Sequence, residues 1–176
     1  MNKLIFFISV IAIACAIEDA RAEALSVPPR LLQGSKSIDL RYKIYDTPGC
    51  KVIVSGIEAG HQYQLSLSDV LQEALPNEPS DLVSTLLIES AEGADSSGAL
   101  ICAYVISLRV FHQLNATLRY RKEPTLLPVL VFSKSIFGVG RPESLDATAL
   151  RYSGKLIQLL IDEHNAANKG TGTLKQ

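Results

Sequence analysis

The chain has 176 residues, of which 47% are hydrophobic and 20% are charged, and its 17 basic and 18 acidic residues leave a formal net charge of −1. A near-neutral chain has no overall electrostatic attraction to nucleic acid, so nucleic-acid binding is not expected. The length and the hydrophobic content suit one folded domain with a hydrophobic core.

The chain begins with the three parts of a secretory signal peptide. Lys3 supplies the positive start, residues 4–17 are apolar or small, and Ala20-Arg21-Ala22 has the Ala-x-Ala form of a cleavage site. The apolar stretch is shorter than the roughly 20 residues that span a bilayer. We therefore predict that residues 1–22 are a cleaved leader, that no membrane span remains after its removal, and that the protein acts in the periplasm or is secreted.

Cys15 leaves a second processing route open. Residues 12–15 read Ala-Ile-Ala-Cys, which resembles the bacterial lipobox, although that pattern prefers Leu where Ala12 stands. Lipidation of Cys15 would make the protein an outer-membrane lipoprotein. Otherwise Cys15 is an ordinary small residue of the leader.

Two cysteines, Cys50 and Cys102, remain after the leader. In an oxidising compartment two cysteines of a small domain usually pair, so we predict a disulfide between them. A bond that closes a loop of roughly 50 residues contributes about 4 kcal/mol in the chain-entropy model. The alternative is that both are buried thiols.

The first part of the mature chain predicts a flexible segment followed by strands. Residues 23–36 contain Pro28-Pro29 and Gly34 and show no period. The alternation of apolar and polar residues from Ile38 to Ile44 then predicts a half-buried strand. Residues 47–49, Thr-Pro-Gly, predict a turn, and residues 51–54 a short second strand.

The middle of the chain predicts a helix and two further strands. The helix starts at Ser66 or Ser68 and is stopped by Pro76. Residues 82–89 are apolar and β-branched and predict a strand, and residues 92–98 a loop. Six apolar side chains fall on one parity of the next segment and Ser107, Arg109 and Gln113 on the other, which predicts a long strand with one buried face. The six are Leu100, Cys102, Tyr104, Ile106, Leu108 and Val110.

The last part of the chain predicts two more strands and a helix. Leu114-Asn115 predicts a tight turn into a strand through Ala116 and Tyr120, and residues 129–137 predict another strand. Apolar residues recur at helical spacing after Pro142, and residues 169–176 predict a disordered tail. Residues 37–168 thus predict a single α+β domain in the order β-β-α-β-β-β-β-α, with one antiparallel-rich sheet and helices packed on one face.

No local motif predicts catalysis, a metal site or a cofactor. The three histidines, His61, His112 and His164, lack the close spacing of metal motifs, and the Gly-x-Ser-x-Gly pattern of exported hydrolases is absent. His164 lies near the end of the last helix, which predicts a structural role. A site assembled from separate elements would leave no motif, so a small hydrolase that uses His61 or His112 stays open.

The charges are divided unevenly along the chain. Residues 58–95 contain acidic residues and no Lys or Arg, whereas residues 109–141 contain six basic residues and a single acidic one, Glu123. Strand parity predicts that several cations share the solvent-facing side of the sheet, and these candidate binding residues are Arg41, Lys43, Arg109, Arg119 and Arg121. Guanidinium groups on a rigid surface suit carboxylate or phosphate partners, unless they only solvate the sheet.

These features predict an exported, non-enzymatic protein of the cell envelope that acts by binding a partner. The partner is a protein or an anionic envelope component, such as lipid phosphates, and the oligomeric state is open. An accessory protein of envelope assembly and an inhibitor or immunity-type protein both fit. The alternatives are a small hydrolase with a dispersed active site and a carrier of a small ligand.

Overall fold

The computed structural model describes residues 29–68, 71–75, 79–117, 120 and 123–169. Within them, a short 3-10 turn at Pro29–Leu32 precedes five strands and two helices. The strands are β1 (Ser37–Tyr45), β2 (Gln72–Glu73), β3 (Leu82–Ala94), β4 (Leu100–Ala116) and β5 (Thr125–Gly140), and the helices are α1 (Val54–Ser66) and α2 (Pro142–Lys169). Cys15, Arg119 and Arg121 lie outside the described residues.

The strands form one sheet in the order β2-β1-β3-β4-β5. The strands β3, β4 and β5 are antiparallel neighbours, whereas β1 is parallel to both β2 and β3. The predicted single-sheet α+β fold is confirmed, but the sheet is mixed rather than purely antiparallel. Parallel neighbours need a crossover connection, and the chain from α1 to β2 supplies it between β1 and β3.

One face of the sheet packs against both helices. Alternate residues of β1, β3 and β4 point into this core, as the apolar parity of those strands predicts. The largest fully buried side chains include Ile38, Leu82, Leu86, Ile88, Ile106 and Leu108 from the sheet, Ile57 and Leu65 from α1, and Leu145, Leu156 and Ile157 from α2. The helix that Pro142 predicts is therefore confirmed as the main cover of the sheet.

The prediction is wrong between β1 and β3. Residues 51–53 form no strand, α1 begins at Val54, and the helix ends at Ser66, where the sequence predicts a helix to start. Part of the predicted helical segment is instead the short strand β2. Only Ile57, His61 and Leu65 of α1 are buried, and a histidine in the middle of this series weakens the apolar period.

The predicted turn at Leu114-Asn115 is also wrong. Both residues lie within β4, which pairs with β5 as far as Ala116 and Thr125. The register between β4 and β5 shifts at Val110/Phe111 because β5 contains one extra residue, Val131, and β4 keeps its own parity. Residues 111–114 of β4 are all half-buried, so the alternation of a strand with one buried face is lost before Asn115, which is why the sequence suggests a turn.

A disulfide joins Cys50 to Cys102, the pair that the sequence predicts. Both residues are fully buried. The bond connects the segment between β1 and α1 to β4, and the Ser90 hydroxyl donates a hydrogen bond of 2.6 Å to the carbonyl of Cys50. The loop before α1 is therefore fixed to the sheet by covalent and polar contacts.

The segment before β1 packs on the end of α2. Leu32 is buried, and the ring of His164 bonds through Nε2 to the Ser35 carbonyl at 2.7 Å. The backbone N–H of Gly34 donates to Oδ1 of Asn168 at 2.8 Å. His164 therefore has the structural contacts expected of it, although it is buried rather than at the exposed helix end.

Candidate functional site

The face of the sheet opposite the helices, here the open face, carries the predicted cations that the structure describes. The cross-strand register places Arg41, Thr85, Arg109 and Ser133 in one row and Lys43, Leu87, Ser107 and Ser135 in the next row. We call these two rows the basic band. The hydroxyls of Ser107 and Ser135 are hydrogen-bonded to each other at 2.9 Å.

The cations of the basic band differ in how they are neutralised. Arg41 forms a salt bridge with Asp39, with 2.8 Å between Nη2 and Oδ2. Lys43 and Arg109 are exposed, and among the described residues no ion pair involves either of them. The two side chains are thus available to an anionic group, and the hydroxyls beside Arg109 can donate further hydrogen bonds.

Exposed apolar side chains lie next to the basic band. Tyr45 and Phe137 occupy the ends of the row Tyr45-Glu89-Val105-Phe137, and their exposed fractions are 61% and 81%. Val139 is 63% exposed in the following row. A depression of about 400 Å³ lies beside Phe137 and Val139, over Ala91, Ala103 and Gly138. We call Tyr45, Val105, Phe137 and Val139 the apolar end of the open face.

A second apolar row lies on the other side of the basic band. Its apolar members are Val83, Phe111 and Leu130, which are register partners across β3, β4 and β5, and Asp39 on β1 ends the row. Leu130 is exposed and the other two are half-buried. The sequence analysis identifies the cations of the open face but not its exposed apolar side chains. Phe137 and Val139 have a signal in the sequence, because they share the parity of the polar residues Ser133 and Ser135 and therefore lie on the same face of β5.

His61 occupies a buried polar site between α1, α2 and the sheet. Its Nε2 lies 3.0 Å from the hydroxyl of Ser153, and its Nδ1 lies 3.2 Å from the hydroxyl of Tyr42. Ser153 donates its own proton to the Leu150 carbonyl at 3.1 Å. Ser153 must therefore accept from Nε2–H, and Tyr42 donates to Nδ1, which makes His61 a neutral imidazole.

Burial controls the protonation of this site. It lowers the pKa of His61 from 6.5 to about 4. It also raises the pKa of the Tyr42 hydroxyl, with smaller contributions from the carboxylates of Glu73 and Glu58. His61 and Tyr42 thus both stay neutral near pH 7, and the three side chains satisfy one another's hydrogen bonds in the core.

The distance between Ser153 and His61 is that of a nucleophile and its base, but the two groups cannot reach a substrate. Both residues are fully buried. The Ser153 proton is directed to a backbone carbonyl rather than to the histidine. The geometry is that of a structural contact between α1 and α2.

The remaining histidine and lysine side chains of interest, His112 and Lys134, do not lie together in one site. His112 bonds through Nδ1 to the Leu31 carbonyl at 3.0 Å, far along the chain from His61 and without a catalytic partner among its described contacts. Lys134 points toward the helices, where its Nζ lies 3.9 Å from Glu163. Among the described residues, no cluster of three or more His, Cys, Asp or Glu side chains could hold a metal ion.

A cavity of about 590 Å³ lies between the end of α1 and the last turns of α2. Its lining combines polar side chains such as Gln64, Gln158 and Asn165 with the apolar side chains of Leu67 and Ile161. It lies between the two helices rather than between the sheet and the helices, where the carrier alternative places a ligand. In the part of the chain that is described, no helix is long and apolar enough to cross a membrane.

Comparisons with known proteins give structural neighbours only. Neither the family models nor the curated protein sequences give a match. The hypothetical protein CT253 of Chlamydia trachomatis is 10% identical, with a TM-score of 0.43, and the alignment covers 75% of this chain and 99% of that one. A minor lipoprotein of Acinetobacter baumannii is 10% identical, with a TM-score of 0.38 and coverage of 76% and 93%.

A third neighbour is a PelC dodecamer from Paraburkholderia phytofirmans. It is 12% identical to this chain, with a TM-score of 0.35 and coverage of 74% and 86%. At these identities and TM-scores the three neighbours do not identify a function for this chain.

Proposed function

We propose that this protein is exported to the cell envelope and acts there, without catalysis, by binding a partner protein through the open face. The observation that carries the proposal is the apolar end, where Phe137 and Val139 are mostly exposed, on the same face as Lys43 and Arg109, which form no ion pair among the described residues. Contiguous exposed apolar side chains next to polar groups are typical of protein interaction sites.

Compartment and covalent structure support the proposal. The first 22 residues have the pattern of an export signal, and the disulfide Cys50–Cys102 suits an oxidising compartment. Arg41, Lys43 and Arg109 belong to the proposed binding surface, and Arg119 and Arg121 are proposed to extend it. The periplasm is the proposed site of action, with lipidation at Cys15 or secretion as the alternatives.

The partner interaction is tested by the size of the native complex in envelope extracts. We expect the wild-type protein to migrate in a complex larger than the monomer, and Phe137→Glu to migrate as the monomer because a charge is placed in the apolar end. Leu159→Glu is the matched control, since Leu159 is an exposed apolar residue on α2. It should migrate like the wild type.

Two results would contradict the proposed function. One is a wild-type protein that migrates alone in the extract. The other is a Phe137→Glu variant that keeps the complex. Thermal melts of both variants verify that the substitutions leave the fold intact, which is expected because both side chains are exposed.

A further inference from the structure

The groups of the open face occur in a definite order along the strands. The apolar end comes first, the basic band lies in the middle, and the row of Val83, Phe111 and Leu130 comes last. Val105 in the first region and Phe111 in the last are six positions apart on β4, a separation of about 20 Å along a strand. Arg109 lies between them, about 13 Å from Val105.

This order limits which kind of partner structure can cover the open face. A second sheet would lay several strands over the basic band at once and bury Lys43 and Arg109 among backbone and apolar groups, which is costly for unpaired charges. A helix that follows the strands crosses the same band with only one or two side chains. Its remaining apolar side chains then meet the two apolar regions.

The order also disfavours a lipid surface. In a bilayer the anionic groups lie outside the apolar layer, so a membrane-binding face combines a protruding apolar part with cations around it. Here the cations lie between two rows of one sheet, and each row carries three apolar residues and one carboxylate, Glu89 or Asp39. A partner that binds Arg109 through an anionic group must therefore also place apolar groups on both sides of that anion, in contact with the same sheet surface.

We propose that the partner contributes an amphipathic helix that lies along β4 and β5 on the open face. At 1.5 Å per residue, a helix needs about 13 residues to connect the two apolar regions. One apolar side chain enters the depression beside Phe137, another packs on Phe111 and Leu130, and an Asp or Glu between them binds Arg109. Lys43, two strands away on β1, attracts the same acidic group at longer range. This inference rests on the proposed function, in which the open face is the binding surface.

The test selects ligands from a phage-displayed library of randomised helical peptides, with the mature disulfide-bonded protein as the target. We expect enriched peptides to carry two apolar groups about 14 residues, or four turns, apart on one helix face, with Asp or Glu between them on the same face. The double variant Lys43→Ala/Arg109→Ala should weaken binding of an enriched peptide by about tenfold or more. Lys155→Ala, which removes an exposed lysine on α2, should leave the affinity unchanged.

Three outcomes would overturn the helix proposal. They are a failure to enrich any peptide, enriched peptides without acidic residues, and binding that the double variant does not weaken. Phosphatidylglycerol vesicles that bind the protein through Lys43 and Arg109, when no peptide is enriched, would assign the face to lipid. If peptides fail while Phe137→Glu still dissolves the native complex, the proposed function stands and the helix proposal alone falls.

Discussion

Replacing both disulfide cysteines by alanine is expected to lower the free energy of unfolding by about 4 kcal/mol at pH 7. The bond closes a loop across a sequence separation of 52 residues, and this constraint restricts the unfolded chain. Small domains have only about 5–15 kcal/mol of stability in total, so the loss removes a large share of it. Urea denaturation of the oxidised wild type and of the double variant measures the difference.

Reductant provides the control for this experiment. The stability of the wild type in excess reductant should fall to that of the double variant, whereas the double variant should not respond, because only the wild type has a bond to reduce. Both sulfurs are buried, so the reduced samples need time to equilibrate. A wild type whose stability is the same with and without reductant would contradict a stabilising bond.

Acidification is expected to destabilise the protein through His61. Its pKa is about 4 in the folded state and 6.5 as the ordinary value, so between these two pH values the unfolded chain binds more protons than the folded one. Stability conferred by the neutral imidazole is therefore complete above pH 6.5 and is lost as the pH falls toward 4, by about 3 kcal/mol in all. Urea denaturation at a series of pH values measures this loss.

His61→Gln isolates the contribution of the histidine. Glutamine can still donate to Ser153 and accept from Tyr42, but it does not titrate, and the variant keeps every carboxylate of the wild type. The stability of the wild type should therefore fall more steeply than that of the variant between pH 6.5 and pH 4. Parallel curves over this range would show that His61 titrates alike in the folded and unfolded states.

Alternation predicts the sheet where one face is buried and the strand is regular. The part of β4 up to Val110 follows from the sequence for this reason, whereas the helix after Pro142 follows from the helical spacing of its apolar residues. Alternation is lost at residues 111–114 of β4, which are all half-buried, and the extra residue Val131 changes the parity of β5. The parallel pairing of β1 with β3 also escapes the pattern, because the path of the chain through α1 decides it rather than the residues of either strand.

The candidate site is accessible to sequence reasoning only in part. Parity places Arg41 and Arg109 on the same face, and the register shows that they share a cross-strand row. The network of Tyr42, His61 and Ser153 has no sequence signal, because His61 and Ser153 are 92 residues apart and meet only through the packing of α1 on α2. A histidine inside an apolar helical series is the one indication of a buried polar contact.

Site-specific photo-crosslinking in living cells shows whether the open face contacts a partner protein. A photoreactive phenylalanine analogue is placed at Phe137 on the open face and, in a second strain, at Leu159 on α2, both of which are exposed. The account predicts a discrete adduct with one partner protein from Phe137 and no adduct from Leu159. Adducts from Leu159 with none from Phe137 would contradict it and place the binding surface on the helices.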